Sequence, residues 1–176
     1  EYCKNILDLV LKGNLVIFQS EFCKNFFNNE FGFLPRSKVI LNGASAFKAL
    51  EKRDRDLIKD KFALDLQDEY FVIGGRYTKR KRIKEIIKSF VKANIYNLVV
   101  LSDVPKEERI LNHKIKYLGK INPFLARGII MNSKALIHMD MYDWCPNMVV
   151  SALADRVPVI CSNFGGIPEV IGNNGL

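Results

Sequence analysis

The sequence predicts an α/β protein: a parallel sheet with helices on both faces. Three observations predict it. Short apolar runs such as Leu98-Val99-Val100-Leu101 read as strands buried on both sides. Ile83, Ile86, Ile87, Phe90 and Val91 fall at helical spacing, with basic residues on the opposite face. Strand-like and helix-like segments alternate along the whole chain, the pattern of a parallel sheet with crossover helices.

The elements follow in order. Tyr2 to Leu11 reads as a helix, with Ile6, Leu7, Val10 and Leu11 on one face. Leu15 to Phe18 is a short strand, and Ser20 then caps a helix that runs to about Asn29 and ends near Gly32. Lys38 to Leu41 is a second strand, stopped by Asn42-Gly43. Residues 44–68 are charged and lack strand pattern, with a helix from about Arg53 to Phe62; they read as a connector. The β–α rhythm resumes at Tyr70 to Ile73, followed by Gly74-Gly75-Arg76 and the helix containing Ile83. Strands follow at Leu98–Leu101 and Ile115–Leu118, then a helix from Pro123 to about Asn132 and a strand at Ala135–Met139. Pro146 begins a helix ending near Asp155, Val157–Cys161 is a strand, and Ile167–Ile171 opens one more helical turn or two.

At 176 residues the chain is one domain or slightly more. Its 48% hydrophobic and 26% charged residues exclude a disordered tail, a collagen-like fibre and a disulfide-built miniprotein. No apolar run approaches the roughly 18–20 residues of a membrane span. The sequence opens without a start methionine or signal-peptide pattern and stops at Asn173-Asn174-Gly175-Leu176 without a closing helix. It is therefore expected to be a piece of a longer protein.

The net charge is +8, and most of it sits in residues 79–92, where seven lysines and arginines face Glu85 alone. Such a patch suits an anionic partner (phosphate, nucleic acid or an anionic membrane) or is simply a solvated helix face. Nucleic acid is disfavoured, because Phe90 is the one aromatic there and belongs to the apolar stripe. Cys3, Cys23, Cys145 and Cys161 form no CxxC pair and no zinc spacing with His113 or His138; they read as thiols in a reducing compartment. His138, after an apolar run, reads as a strand-end histidine rather than a ligand.

Parallel sheets of this kind bind ligands beyond the carboxyl ends of their strands. That places the candidate residues in the loops Gly74-Gly75-Arg76, Ser102-Asp103, Gly119-Lys120, Asp140 to Pro146 and Ser162 to Gly166. Arg76 and Lys81 can both reach a diphosphate from their strand-to-helix turn, one as a planar fork and the other as a point charge. A helix entered through Asp143-Trp144-Cys145-Pro146-Asn147 offers backbone amides from Asn147 onward to an anion, with Asp143 beside them for sugar hydroxyls or as a helix cap. Gly165-Gly166 leaves room for a bound group ahead of Ile167-Pro168-Glu169, and Glu169 suits the first turn of a helix. There is no GxGxxG fingerprint and no Walker loop. Asp140 and Asp143 are not a DxD pair, and no carboxylate cluster demands Mg²⁺ or Mn²⁺, so no metal or cofactor is expected.

Taken together, these segments resemble the group 1 glycosyltransferases, the glycogen-synthase-like retaining enzymes of the GT-B fold. Phe71 to Arg76 with Lys81 and Phe90 resembles the family's "GR…K…AF" segment. Ile115 to Lys120 resembles its "V-x-F-L-G-x" segment. Asp143 to Ala152, Val157 to Ile160 and Gly165 to Glu169 resemble its "E-G-F-P-N…E-A…PVI…GG-x-PE" signature.

The resemblance implies a Rossmann-like donor-binding domain at 69–176, preceded by the end of the acceptor domain at 1–43 and a connector at 44–68. It implies transfer of a sugar from a nucleotide-diphosphate sugar to a glycan, lipid or small-molecule acceptor, with retention of configuration and no metal. A role in polysaccharide biosynthesis, a cytoplasmic location and peripheral contact with an anionic membrane accompany that reading. Arg76, Lys81, Asn147, Gly165 and Gly166 fall at the diphosphate, Asp143 at the donor sugar as the catalytic residue, and Ser151 and Glu169 at the sugar or ribose. Asp143 stands where the family has Glu. Ser151 stands where the second acid holds the ribose, and a serine can donate one hydrogen bond there but cannot accept as an anion. The alternatives are a non-catalytic relative that binds nucleotide sugars or acts as a scaffold, and a GT-B nucleotide-sugar epimerase. The fragment alone is expected to be inactive.

Overall fold

The computed structural model describes residues 2–174. Glu1, Gly175 and Leu176 lie outside the described residues, as do the side chains of residues 2–6, Cys3 and Ile6 among them, and of Asn174. Two parallel sheets follow one another along the chain. The first has two strands, β1 (Val16–Phe18) and β2 (Ser37–Val39), preceded by helix α1 (Tyr2–Lys12) and joined by α2 (Glu21–Phe31). Ser20 caps α2 as its sequence predicts, its Oγ accepting from the Cys23 amide at 3.0 Å. Gly32 ends the helix with φ +72°, the left-handed conformation that favours glycine. Phe27 on α2 packs against Phe18, Phe31 and Phe33.

The second sheet has five parallel strands: β3 (Tyr70–Gly74), β4 (Asn97–Leu101), β5 (Ile115–Tyr117), β6 (Ala135–His138) and β7 (Val159–Cys161). Their order in space is β5-β4-β3-β6-β7. The chain builds outward from β3 to β5, then returns to lay β6 against the other side of β3, so the order reverses between β3 and β6. That reversal opens a crevice at the carboxyl ends of the two strands. Register pairs Ile73 with Val100 on one side and with Ile137 on the other.

Alternation along β3 sends Tyr70 and Val72 to one face of the sheet and Phe71 and Ile73 to the other. The first face is covered by α3 (Lys52–Phe62), α5 (Pro123–Met131), α6 (Asn147–Ala154) and α7 (Ile167–Ile171), through Ile58, Ile129, Val149 and Ile167. The second is covered by α4 (Ile83–Ala93), through the predicted stripe of Ile83, Ile86 and Ile87. Strands buried on both faces explain the unbroken apolar runs. Beyond α4, Phe71, Phe90, Ile137 and Ile160 line an open apolar groove of about 550 Å³.

Residues 44–68, expected as a connector, are built into this core. Leu50, Ile58 and Leu64 are buried in the same cluster as Val72 and Leu136. Leu50 sits over Gly128 of α5, where a β-carbon would come within 2.5 Å of it, which accounts for a glycine in mid-helix. Val157-Pro158, expected as strand, instead closes α6: the Val157 amide bonds to the Ala152 carbonyl, and Arg156 takes φ +60°. Strand pairing resumes at the Pro158 carbonyl, which accepts from the Leu136 amide.

Candidate functional site

A cavity of about 700 Å³ opens at the crevice, within the usual range for a small-molecule site. Gly75, Arg76 and Tyr77 line it from the turn after β3, Ser102 and Asp103 from after β4, and Gly119 and Lys120 from after β5. Asn147, Met148 and Ser151 line it from the first two turns of α6. The loops are tied together: Asp103 Oδ1 accepts from the Lys120 amide at 2.8 Å. Ser102 is buried, and its hydroxyl has no hydrogen-bond partner among the described residues, an unmet group beside the cavity.

Arg76 and Lys81, paired in the sequence reading, are placed differently. Arg76 is exposed on the cavity wall, with no hydrogen bond or ion pair among the described residues. Lys81 is turned inward. Its stem crosses Gly75, whose φ of +115° and missing side chain leave the space. Its ammonium lies 2.9 Å from Asp140 Oδ2 and 3.5 Å from Asp143 Oδ2. Arg80 also turns to Asp140, at 3.0 Å from Oδ1, and Lys84 pairs with Glu108 at 2.9 Å. The basic stretch is therefore not one solvated face: three of its seven cations hold internal carboxylates.

Asp140 is fully buried. Besides its two cations, its Oδ1 accepts from the Tyr142 amide at 3.0 Å and its carbonyl from Ser162 Oγ at 2.5 Å. His138, at the end of β6, is buried with Nε2 3.5 Å from Asp143 Oδ2. Burial works to raise the Asp143 carboxyl, but His138 and Lys81 prevail and hold it below the usual carboxylate range. His138, Asp140 and Asp143 bring three metal-type ligand atoms within 4.8 Å of one another. The Lys81 ammonium already lies among them and supplies the positive charge such a set would draw from a cation.

Gly165 and Gly166, expected to make room for a bound group, make room for the Asp143 loop. A β-carbon on Gly165 would come 2.6 Å from the Asp143 carbonyl, and one on Gly166 would come 1.7 Å from the Trp144 carbonyl. The Gly166 amide donates to the Asp143 carbonyl at 2.8 Å. Glu169, expected near the sugar or ribose, has both oxygens on the first turn of α2, accepting from the Glu21 and Phe22 amides at 2.7 Å each. It caps that helix and meets its positive end. Asn147 Oδ1 accepts from Asn42 Nδ2 at 2.7 Å. Trp144 packs on Phe22 and Phe26, so the residues around the site also fasten the small sheet to the large one.

Sequence reasoning missed Asp140 and His138 as members of the Asp143 cluster. It also missed Arg127 and Asp155 on the cavity wall, a doubly bonded ion pair at 2.7 and 2.8 Å. Asp155 also accepts from the Phe47 amide at 2.8 Å. Arg127 and Asp155 lie 28 positions apart and only the fold brings them together, whereas His138 and Asp140 stand in the same segment as Asp143, where no motif marks them as its neighbours.

A parallel sheet with helices on both faces and its cavity at the strand reversal defines an α/β domain of the Rossmann-like type. The chain belongs to the glycosyl transferases group 1, whose family model matches residues 54–175. TuaC of Bacillus subtilis, which carries the name of a teichuronic acid biosynthesis glycosyltransferase, is 24% identical over 131 residues, covering 74% of this chain and 33% of that protein. A glycosyltransferase from Rickettsia africae has the same fold, with TM-score 0.76 and 20% identity over 93% of this chain and 48% of that one. HepE from Anabaena, solved with UDP and glucose, gives TM-score 0.72 and 17% identity over 89% of this chain and 46% of that one. The chain thus spans a third of TuaC and about half of these solved chains. The Rossmann-like α/β fold read from the sequence is the fold found, and its structural neighbours are glycosyltransferases of the GT-B fold.

Proposed function

We propose that residues 69–176, with the core-packed segment before them, are the donor-binding half of an enzyme that transfers a sugar from a nucleotide-diphosphate sugar to a glycan, lipid or small-molecule acceptor. The observation that carries this reading is the 700 Å³ cavity, with Arg76 and the first turn of α6 at its rim and the Asp143 cluster next to it. HepE, a structural neighbour, has also been solved with UDP-glucose, which supports a nucleotide sugar as the ligand here.

In the reaction the bond from the anomeric carbon to the diphosphate breaks, and the diphosphate departs with the electron pair. The acceptor oxygen bonds to the same carbon and gives up its proton to the departing diphosphate. Charge develops on the departing diphosphate, where Arg76 and the amides from Asn147 onward supply positive potential, joined by Lys81 once it turns from its carboxylates. The Asp143 carboxylate, held ionised, accepts hydrogen bonds from donor-sugar hydroxyls. Ser151, on the cavity wall, meets the ribose with one hydroxyl. We assign retention of configuration and independence from metal to the same proposal, on the family resemblance and on the ammonium that neutralises Asp140 and Asp143. A cytoplasmic location with peripheral contact to an anionic membrane rests on the exposed Lys79, Lys88 and Lys92. Among the described residues, no helix is long and apolar enough to cross a membrane. Residues 1–43 are assigned to the end of the acceptor-side unit.

Ser151 favours a second reading, a relative that binds nucleotide sugars without turning them over. Titration of the chain with UDP, GDP and ADP by ligand-observed NMR, beside an Arg76→Ala control, tests the site. The expected result is preference for one nucleotide, with binding weakened at least tenfold in the control. Equal binding by Arg76→Ala, or none by either protein, contradicts the assignment. Nucleotide binding together with no sugar transfer by the full-length protein selects the second reading.

A further inference from the structure

Asp140 is fully buried and holds two cations of the stretch after β3, one of them the Lys81 of the proposed phosphate site. Its two oxygens take Arg80 at 3.0 Å and Lys81 at 2.9 Å. Lys81 also reaches Asp143, at 3.5 Å. Two cations thus face two carboxylates, and their charges cancel. Arg76 and Lys120 meet the cavity as the cations without a side-chain partner among the described residues.

We propose that Asp140 sets the affinity of this site for a diphosphate by competing with it for Lys81. The inference rests on the reading of the cavity as a nucleoside diphosphate site. A diphosphate that recruits Lys81 must draw it from a buried anion, and the anion left behind keeps Arg80 and the Tyr142 amide but loses its nearest charge. Removing one partner of a buried pair is costly, so Asp140 opposes the recruitment. In the same movement Lys81 leaves Asp143, whose carboxylate then turns to the sugar. The arrangement keeps the Lys81 charge cancelled in the bare site and weakens its hold on a departing nucleoside diphosphate. Asp140 is a positioning residue, acting on the ligand through Lys81.

Asp140→Asn is the test. An asparagine Oδ1 still accepts from the Tyr142 amide, and the backbone carbonyl that Ser162 uses is unchanged. The charge is removed, and the acceptor that faced Lys81 becomes an N–H donor, which cannot hold the ammonium. The 176-residue chain and the variant are titrated with inorganic pyrophosphate and with UDP by calorimetry across a salt series. The expected result is binding at least tenfold tighter in Asp140→Asn for both probes, with a steeper salt dependence. The gain shrinks markedly when Lys81 is replaced by Met, because the released cation is then missing. A residue with only a structural role would lower affinity or leave it unchanged, and would not raise it. Asp140→Ser serves as the second variant, with the same expected direction. Unchanged or weaker binding in both folded variants, or a gain of equal size in the Lys81→Met background, overturns the inference while the nucleotide site stands. No binding of either probe by any of the proteins overturns it together with the proposed function.

Discussion

Asp143 carries a half-buried carboxylate whose ionised form is favoured by Lys81 and His138, and that preference links it to stability. Its folded value lies below the unfolded carboxylate value of about 3.9. The stabilisation it supplies is therefore complete above that value and is lost as the pH falls through the lower, folded one. Urea unfolding of the chain and of Asp143→Asn at pH 5 and pH 3 checks this. The stability gap between them is expected to narrow at pH 3, and a gap that does not change contradicts the linkage. Asp143 itself was legible in the sequence, through its place after a strand and at the entrance of a helix. The partners that give it this behaviour were not. Lys81 lies 62 positions away and reads as one cation in a basic run. Its inward turn follows from the space over Gly75 and from Asp140, which the pairing of β3 with β6 delivers.

Whole elements were more legible than single side chains. The strand at 70–74 and the helix at 83–93 are set by apolar runs and helical spacing, which depend on neighbours in sequence. The ends of elements were less legible where tertiary contacts decide them, as at Val157, whose amide closes α6 rather than opening β7. Gly165-Gly166 shows the same limit. The sequence marks a close approach there but not what approaches, which proves to be the Asp143-Trp144 backbone. Gly166 has φ −84°, so its need for glycine is purely steric. Gly166→Ala is expected to cost about 2–4 kcal/mol in urea unfolding, because a backbone carbonyl cannot swing aside like a side chain. Gly43→Ala, where a β-carbon meets open space, is the control and should change stability by less than about 0.5 kcal/mol. Equal effects at the two positions would contradict the crossing of the two loops.

At the scale of the molecule, the fold class was legible and the division into units was less so. Residues 44–68 have the composition of a connector, yet Leu50, Ile58 and Leu64 complete the core of the large sheet. The small sheet is fastened to that unit at the site itself, through Glu169 on α2, Asn42 on Asn147, and Trp144 between Phe22 and Phe26. Loops that carry the ligand groups thus also carry the junction. The central claim is that the cavity at the strand reversal holds a nucleotide. Backbone amide shifts of the ¹⁵N-labelled chain, followed on addition of UDP or whichever nucleotide binds best, test it most directly. The account predicts saturable shifts concentrated at Gly75, Arg76, Ser102, Asn147 and Ser151. Shifts centred instead on the apolar groove around Phe71 and Ile160, or on the exposed lysines of α4, would contradict it.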